Sequence, residues 1–254
     1  MRRIVLCLGI LLAWPLAGQA AKPAEPASIE FGAGAWVDVD ATGKAHVVEM
    51  DKLSRFKDDG EPGSIADIIK ARLRERIETW EFQPPTKNGV AVPGRTHLAV
   101  SLKALGDDAG GMSIRVLDAG TGPKLADVRM QELVKLFMID GQEGKTTVNV
   151  EWRSDGSIDT VEILGPSNLS SRNTTASLQP GGRKAMLAVV KTWHIDPEIV
   201  DGAPIPGSGM IPIVFCWDDT PCKNDGDAEK PPRSELVASN PAISLRTAVA
   251  ETVL

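Results

Sequence analysis

Few residues in this chain have both the type and the spacing for chemistry. Its three histidines, His46, His97 and His194, lie far apart, and no two sit at metal-ligand spacing. None recommends itself as a general base beside a nucleophile. Gly144-Lys145-Thr146 matches the end of a phosphate-binding loop, but the first glycine of that pattern would fall at position 139, which is Ile139. A strand pattern follows it, not a helix whose N-terminus could hold phosphate. Gly207-Ser208-Gly209 fails as a nucleophile elbow because Pro206 stands where glycine is needed. Asp58-Asp59, Asp107-Asp108 and Asp218-Asp219 read as solvated loop acids, since none belongs to a regular calcium loop. Glu49 and Glu162 read as polar residues on the outer faces of strands, with contact to a partner as the alternative. The expectation is a protein with no catalytic residue, no cofactor and no metal.

Cysteine chemistry is equally restricted. Cys7 lies in an apolar N-terminal run, which leaves Cys216 and Cys222 in "FCWDDTPC". In an exported chain this pair reads as a disulfide closing a small loop. On the chain-entropy model it contributes roughly 2 kcal/mol, enough to pin a strand end. A metal or redox pair has less support, with no C-x-x-C spacing and no histidine nearby.

The elements that must position these residues begin after "MRRIVLCLGILLAWPLAGQA", which has a basic start, an apolar run from Ile4 to about Trp14, and small residues before a cut at Ala21. It reads as a secretory signal over 1–20, with an uncleaved membrane anchor as the alternative. The apolar run falls short of the roughly 18 residues that a span requires. Removing it takes Arg2 and Arg3 from 28 basic side chains and nothing from 34 acidic ones, leaving a net charge of about −8. That balance repels phosphate backbones and argues against a nucleic-acid partner.

Beyond the signal the chain repeats itself. Shifting the numbering by 113 lays Gly156 on Gly43, Trp193 on Trp80, Pro197 on Pro84, Gly202 on Gly89, and Pro206-Gly207 on Pro93-Gly94 without a gap. Each copy opens with a hairpin pattern: "AWVDVDATGKAHVVEMD" in the first, "TTVNVEWRSDGSIDTVEIL" in the second. A helix follows. In the first copy Ser64 is the N-cap, and Ile65, Ile68, Ile69, Leu73, Ile77 and Trp80 form one face. The second runs from about Gly182 to Trp193.

The two tryptophans are read as the last large side chains of their helices, plugging the core ends. Pro84 and Pro197, four residues on, are read as fixing the helix exits. Asn88-Gly89 and Asp201-Gly202 turn the chain, and Pro93-Gly94 or Pro206-Gly207 leads into a closing strand, "THLAVSL" or "MIPIVFCW". The predicted fold class is α+β: two repeated β-β-α-β units, each a three-stranded antiparallel sheet with one helix packed on it.

A hairpin, an amphipathic helix ending in W-x-F/I-x-P, a short N/D-G turn and a closing apolar strand, in that order and twice, resemble the C-terminal domain of TonB energy transducers. The resemblance covers roughly residues 32–103 and 140–218. It implies an open sheet whose edge accepts an extended peptide, with main-chain hydrogen bonds giving affinity. The implied partner is a protein or peptide, with TonB-dependent outer-membrane receptors as the class. The chain departs from transducers in having only "AKPAEPA" as spacer, two units, and no Ser and His pair in its apolar start.

The expected organisation is a signal over 1–20, a first TonB C-terminal-like domain over 28–105 and a linker over 106–139. The linker holds a possible strand at "MSIRVL" and a short helix at "QELVKLFMI"; a second domain over 140–222 and a polar, partly disordered tail over 223–254 follow. The function expected is a periplasmic, non-enzymatic binding module working by strand addition after Pro93-Gly94 or Pro206-Gly207. Edge-strand exchange offers a route to a homodimer. The alternatives are a membrane-anchored transducer variant, and a secreted hydrolase or inhibitor on the same small fold.

Overall fold

The computed structural model describes residues 28–54, 56, 63–106, 111–128, 142–171, 175–176, 180–215 and 236–254. The expected signal over 1–20, the Cys216 and Cys222 pair, the three Asp-Asp pairs, the short helix expected at 131–139 and the polar part of the tail lie outside the described residues.

Alternation of apolar and polar residues builds the first hairpin, β1 (Ser28–Val39) and β2 (Ala45–Met50). Its turn closes with the Asp40 amide donating to the Lys44 carbonyl, and Gly43 supplies the positive φ of 88°. Helix α1 (Ile65–Ile77) starts at Ser64, whose Oγ accepts from the Asp67 amide at 3.2 Å. It buries Ala66, Ile69, Leu73 and Ile77. Ile65 and Ile68, counted on the inner face from the sequence, are exposed. At 100° per residue the stripe through 66, 69, 73 and 77 leaves them on its flank.

After the helix come β3 (Phe82–Gln83), β4 (Thr86–Lys87), β5 (Val90–Ala91), the long β6 (Gly94–Gly106), β7 (Met112–Gly122) and β8 (Lys124–Ala126). The later part holds the hairpin β9 (Gln142–Trp152) and β10 (Ile158–Ser171), then β11 (Thr175–Ala176) and helix α2 (Pro180–Val190). It continues through β12 (His194–Asp196), β13 (Ile199–Val200), β14 (Ala203–Pro204) and β15 (Gly207–Phe215). Two short strands, β16 (Val237–Ala238) and β17 (Ser244–Leu245), lie near the C-terminus.

The described residues form a mixed, mostly stranded fold with two helices and antiparallel sheets, consistent with α+β. The sheets are larger than the expected three strands. The first has six, ordered β14-β13-β6-β1-β2 with β7 also on β6, and the second has five, ordered β11-β10-β9-β15-β16. β7, which takes in the strand expected at "MSIRVL", and β11 pair with the strands just before them, whereas β13, β14 and β16 join from distant parts of the chain, where no local sequence pattern encodes the pairing.

Those long-range pairings are reciprocal. The 124–126 strand pairs with β12 beyond the second helix, while β17, from the far end of the chain, pairs with β3 beyond the first. Two buried cores result, one holding Trp80 and the other Trp193. The tail contributes Ile243 and Val249 to the first core, and Leu125 packs against the second. Residues 236–254, read from sequence as part of a loosely ordered tail, are therefore an ordered strap. Its amides at Glu251 and Leu254 donate to the Val116 and Ile114 carbonyls along the outer edge of β7.

Candidate functional site

An open trough of about 810 Å³ lies on the outer face of the first sheet. Strand alternation creates it: Leu98, Val100 and Leu102 face the core, so His97, Ala99 and Ser101 face outward, beside Gly32 and Gly34 of β1. Asp118 to Gly122 of β7 continue the floor, and Leu236 to Ala238, Pro241 and Leu245 of the strap wall one side.

At the other wall three ionisable groups converge. Asp51 follows β2, His97 is on β6, and Lys124 opens β8, so three strands are needed to assemble them. His97 Nε2 lies 2.8 Å from Asp51 Oδ2, and Lys124 Nζ donates to Asp51 Oδ1 at 2.6 Å. Burial alone would raise the Asp51 carboxyl, but the hydrogen bonds and charges of His97 and Lys124 outweigh it and hold the group at about 2. The His97 ring packs edge-on against Trp36, with centroids 5.4 Å apart. Gly34 is required beneath the pair: a Cβ there would stand 2.5 Å from Asp51 Oδ2 and 2.7 Å from His97 Nε2.

This arrangement suits fastening better than proton transfer. A carboxylate held at about 2 with both oxygens engaged is a poor base near neutrality. Ser54, a hydroxyl that also lines the trough, accepts from the Gly32 amide at 2.6 Å and is committed to the backbone. His46 Nδ1 lies 3.2 Å from Glu78 Oε1, and His194 Nε2 lies 3.7 Å from Asp196 Oδ1, so each described histidine stands beside one acid. Among the described residues no cluster of three or more histidine, cysteine or acidic groups could hold a metal. Glu49 and Glu162 are exposed.

The residues singled out for structural roles fall as follows. Trp80 and Trp193 are buried, 3% and 2% exposed, in separate cores. Both stand three residues beyond their helices, with amides donating to Ile77 and Val190 carbonyls at 3.0 Å. They cap the ends and are not the last helical residues. Helix α2 also begins earlier than expected, at Pro180, a first-turn position where the missing N–H costs nothing.

Pro84 is buried and Pro197 half-buried. They follow β3 and β12, so the helices end well before them and they do not terminate them. Gly89 and Gly202 occupy two-residue hairpin turns with φ of 79° and 78°, preceded by Asn88 and Asp201 at 53° and 51°. Positive φ at both central residues is the geometry whose twist matches a tight hairpin. Lys87 Nζ meets Asp201 Oδ2 at 2.7 Å and ties the two hairpins side by side.

Of the edges named for strand addition, that of β6 is occupied and that of β15 is covered in part. Strand β6, after Pro93-Gly94, is interior, with β1 on one side and β13 and β7 on the other. Strand β15, after Pro206-Gly207, pairs with β9 and carries β16 at Gly209–Met210. The Ser208 carbonyl accepts from the Ser239 amide, so alternation puts Pro212, which has no N–H, on that same outer edge. Such caps are how sheets block pairing with other chains.

Sequence reasoning missed Asp51, Lys124 and Glu198. Asp51 meets His97 across 46 residues and Lys124 across 73, with no local signal. Glu198 is 4% exposed, and position 85 in the repeat is Pro85, so an acid standing against a proline was the available clue. Comparison of the chain with models of known families, with curated proteins and with solved structures finds no match.

Proposed function

We propose that the chain is an exported, periplasmic, non-enzymatic binding protein built from two TonB C-terminal-like units, and that it takes an extended segment of a protein partner in the trough. The observation that carries the reading is the open 810 Å³ trough whose one convergent ionic cluster is spent on holding strands together. A peptide suits it because small residues at Gly32 and Ala99 let a backbone approach closely.

Agreement between the halves under the 113-residue shift supports the duplication. The Phe82 amide donates to Gly43 and the Ile195 amide to Gly156, each at 3.0 Å, and Thr79 and Thr192 each donate their hydroxyl three residues back at 2.7 Å. Hairpin turns at 88–89 and 201–202 correspond in the same way. The capped edges favour the trough over strand addition after Pro93-Gly94 or Pro206-Gly207, and oppose a homodimer by edge exchange. Outer-membrane receptors remain the partner class. The committed Asp51 carboxylate tells against the hydrolase alternative.

The test is a photo-crosslinking amino acid placed in cells at Ser101, in the trough, or at Leu164, an exposed site on β10. Adducts that form from 101 and not from 164, and that contain an envelope receptor segment by mass spectrometry, are expected. Equal labelling from both sites, or none from 101, refutes the reading. N-terminal sequencing of the mature chain checks the expected cut before Ala21; retention of Met1 in the mature protein favours the anchored variant.

A further inference from the structure

Where β13 crosses onto β6, the structure buries a carboxylate with no cation. Glu198 is 4% exposed, and its Oε2 and Oε1 accept from the strap amides of Ala242 at 2.7 Å and Ile243 at 3.4 Å. Thr96, itself fully buried, lies beside the same carboxylate, and its hydroxyl donates to the Gly122 carbonyl at 3.2 Å and accepts from the Gly122 amide at 3.0 Å. Three segments distant in sequence thus meet on one ionisable group. The charged neighbours on those elements are committed elsewhere: Arg95 to Asp38, Lys124 to Asp51 and Lys87 to Asp201. His97, on the opposite face of β6, is held by Asp51, and the strap residues at the contact carry no charge. Among the described residues, none forms an ion pair with Glu198.

We propose that Glu198 is a proton-operated latch for the strap: the neutral carboxyl holds Ala242–Ile243 against β6 and β13, and ionisation loosens that hold and widens the trough the strap walls. The physical driver is that a buried charge paired only with neutral dipoles is costly, and admitting water relieves the cost. Burial raises the Glu198 carboxyl from its ordinary value of 4.5, only partly offset by the Ala242, Thr96 and Ile243 hydrogen bonds. Latching is therefore complete below the ordinary value and weakens as pH rises through the raised one. Asp51, held at about 2, stays ionised throughout and contributes nothing to this window.

The test is hydrogen exchange of the full chain at pH 4.5 and pH 8, with the intrinsic base-catalysed rate divided out, comparing the wild type with Glu198→Gln. In the wild type, protection of the Ala242 and Ile243 amides falls at the alkaline pH, by about tenfold for each unit by which the latched carboxyl is raised. In Glu198→Gln, which cannot ionise, only the change that histidine protonation makes in both proteins remains, and the further fall in the wild type reads the latch. Wild-type protection that does not change with pH, or a glutamine variant that changes equally, overturns the proposal. Carboxyl carbon NMR of the wild type gives a second reading that needs no variant. Titration of Glu198 above 4.5 is expected, and titration at or below that value overturns the proposal. Neither measurement involves a trough ligand, so the latch and the proposed function fail independently.

Discussion

Ile243→Ala is the most demanding perturbation, because Ile243 follows the second sheet in sequence yet belongs to the first core. The side chain is fully buried. Its Cδ1 lies 2.9 Å from where a Cβ on Gly94 would stand, and Pro85 Cγ and the Ile199 carbonyl crowd the same point. Two of those three neighbours are rigid ring or backbone atoms, so the space left by truncation cannot collapse readily. The loss belongs in the upper part of the about 2–5 kcal/mol seen for buried Ile or Leu to Ala.

A value of about 4 kcal/mol raises the opening constant of the first core by roughly 700-fold, at tenfold for every 1.4 kcal/mol. Hydrogen exchange resolved by peptide is the assay. Amides of β1 and β6 lose protection by that factor, while those of β9 and β15 keep theirs. Loss confined to β15 would mean that the strap serves only the sheet it follows, and equal loss in both sheets that the two cores open as one; either result refutes the reasoning.

Three further outcomes follow from the same geometry. Gly34→Ala drives a methyl to 2.5 Å from Asp51 Oδ2 and should part Asp51 from His97, lowering the thermal midpoint and removing the Asp51 contribution to acid stability. Because the folded Asp51 carboxyl sits at about 2, below its ordinary 3.8, its contribution of about 2 kcal/mol is complete above pH 4 and is lost as pH falls through 2. Urea unfolding at pH 2 and pH 5 measures it, and Asp51→Asn should abolish that part of the pH dependence. Gly156→Ala places a Cβ on the Ile195 carbonyl at a φ of 82°, costing more than the about 1–2 kcal/mol of the left-handed backbone alone. Gly43→Ala, with its φ of 88° and the Phe82 carbonyl in the same place, should cost about as much, and denaturant titration of the pair checks this.

What lay in the sequence was the local grammar. Alternation along residues 35–50, the cap at Ser64 and the Asn88-Gly89 and Asp201-Gly202 turns are dictated by backbone sterics and by which side chains can leave water within a few residues. The recurrence at 113 residues was equally legible, because it is a property of the string. Tertiary structure alone decided which strands met. Local pattern says that "PAISL" is mildly apolar, but only the unfilled edge of β3 and the gap beside Gly94 determine that Ile243 completes the first core. The carboxylates of Asp51 and Glu198 look alike in the string; folding gave one a lysine and a histidine and the other only neutral dipoles. Charge environment is set by through-space neighbours, so it cannot be read along the chain.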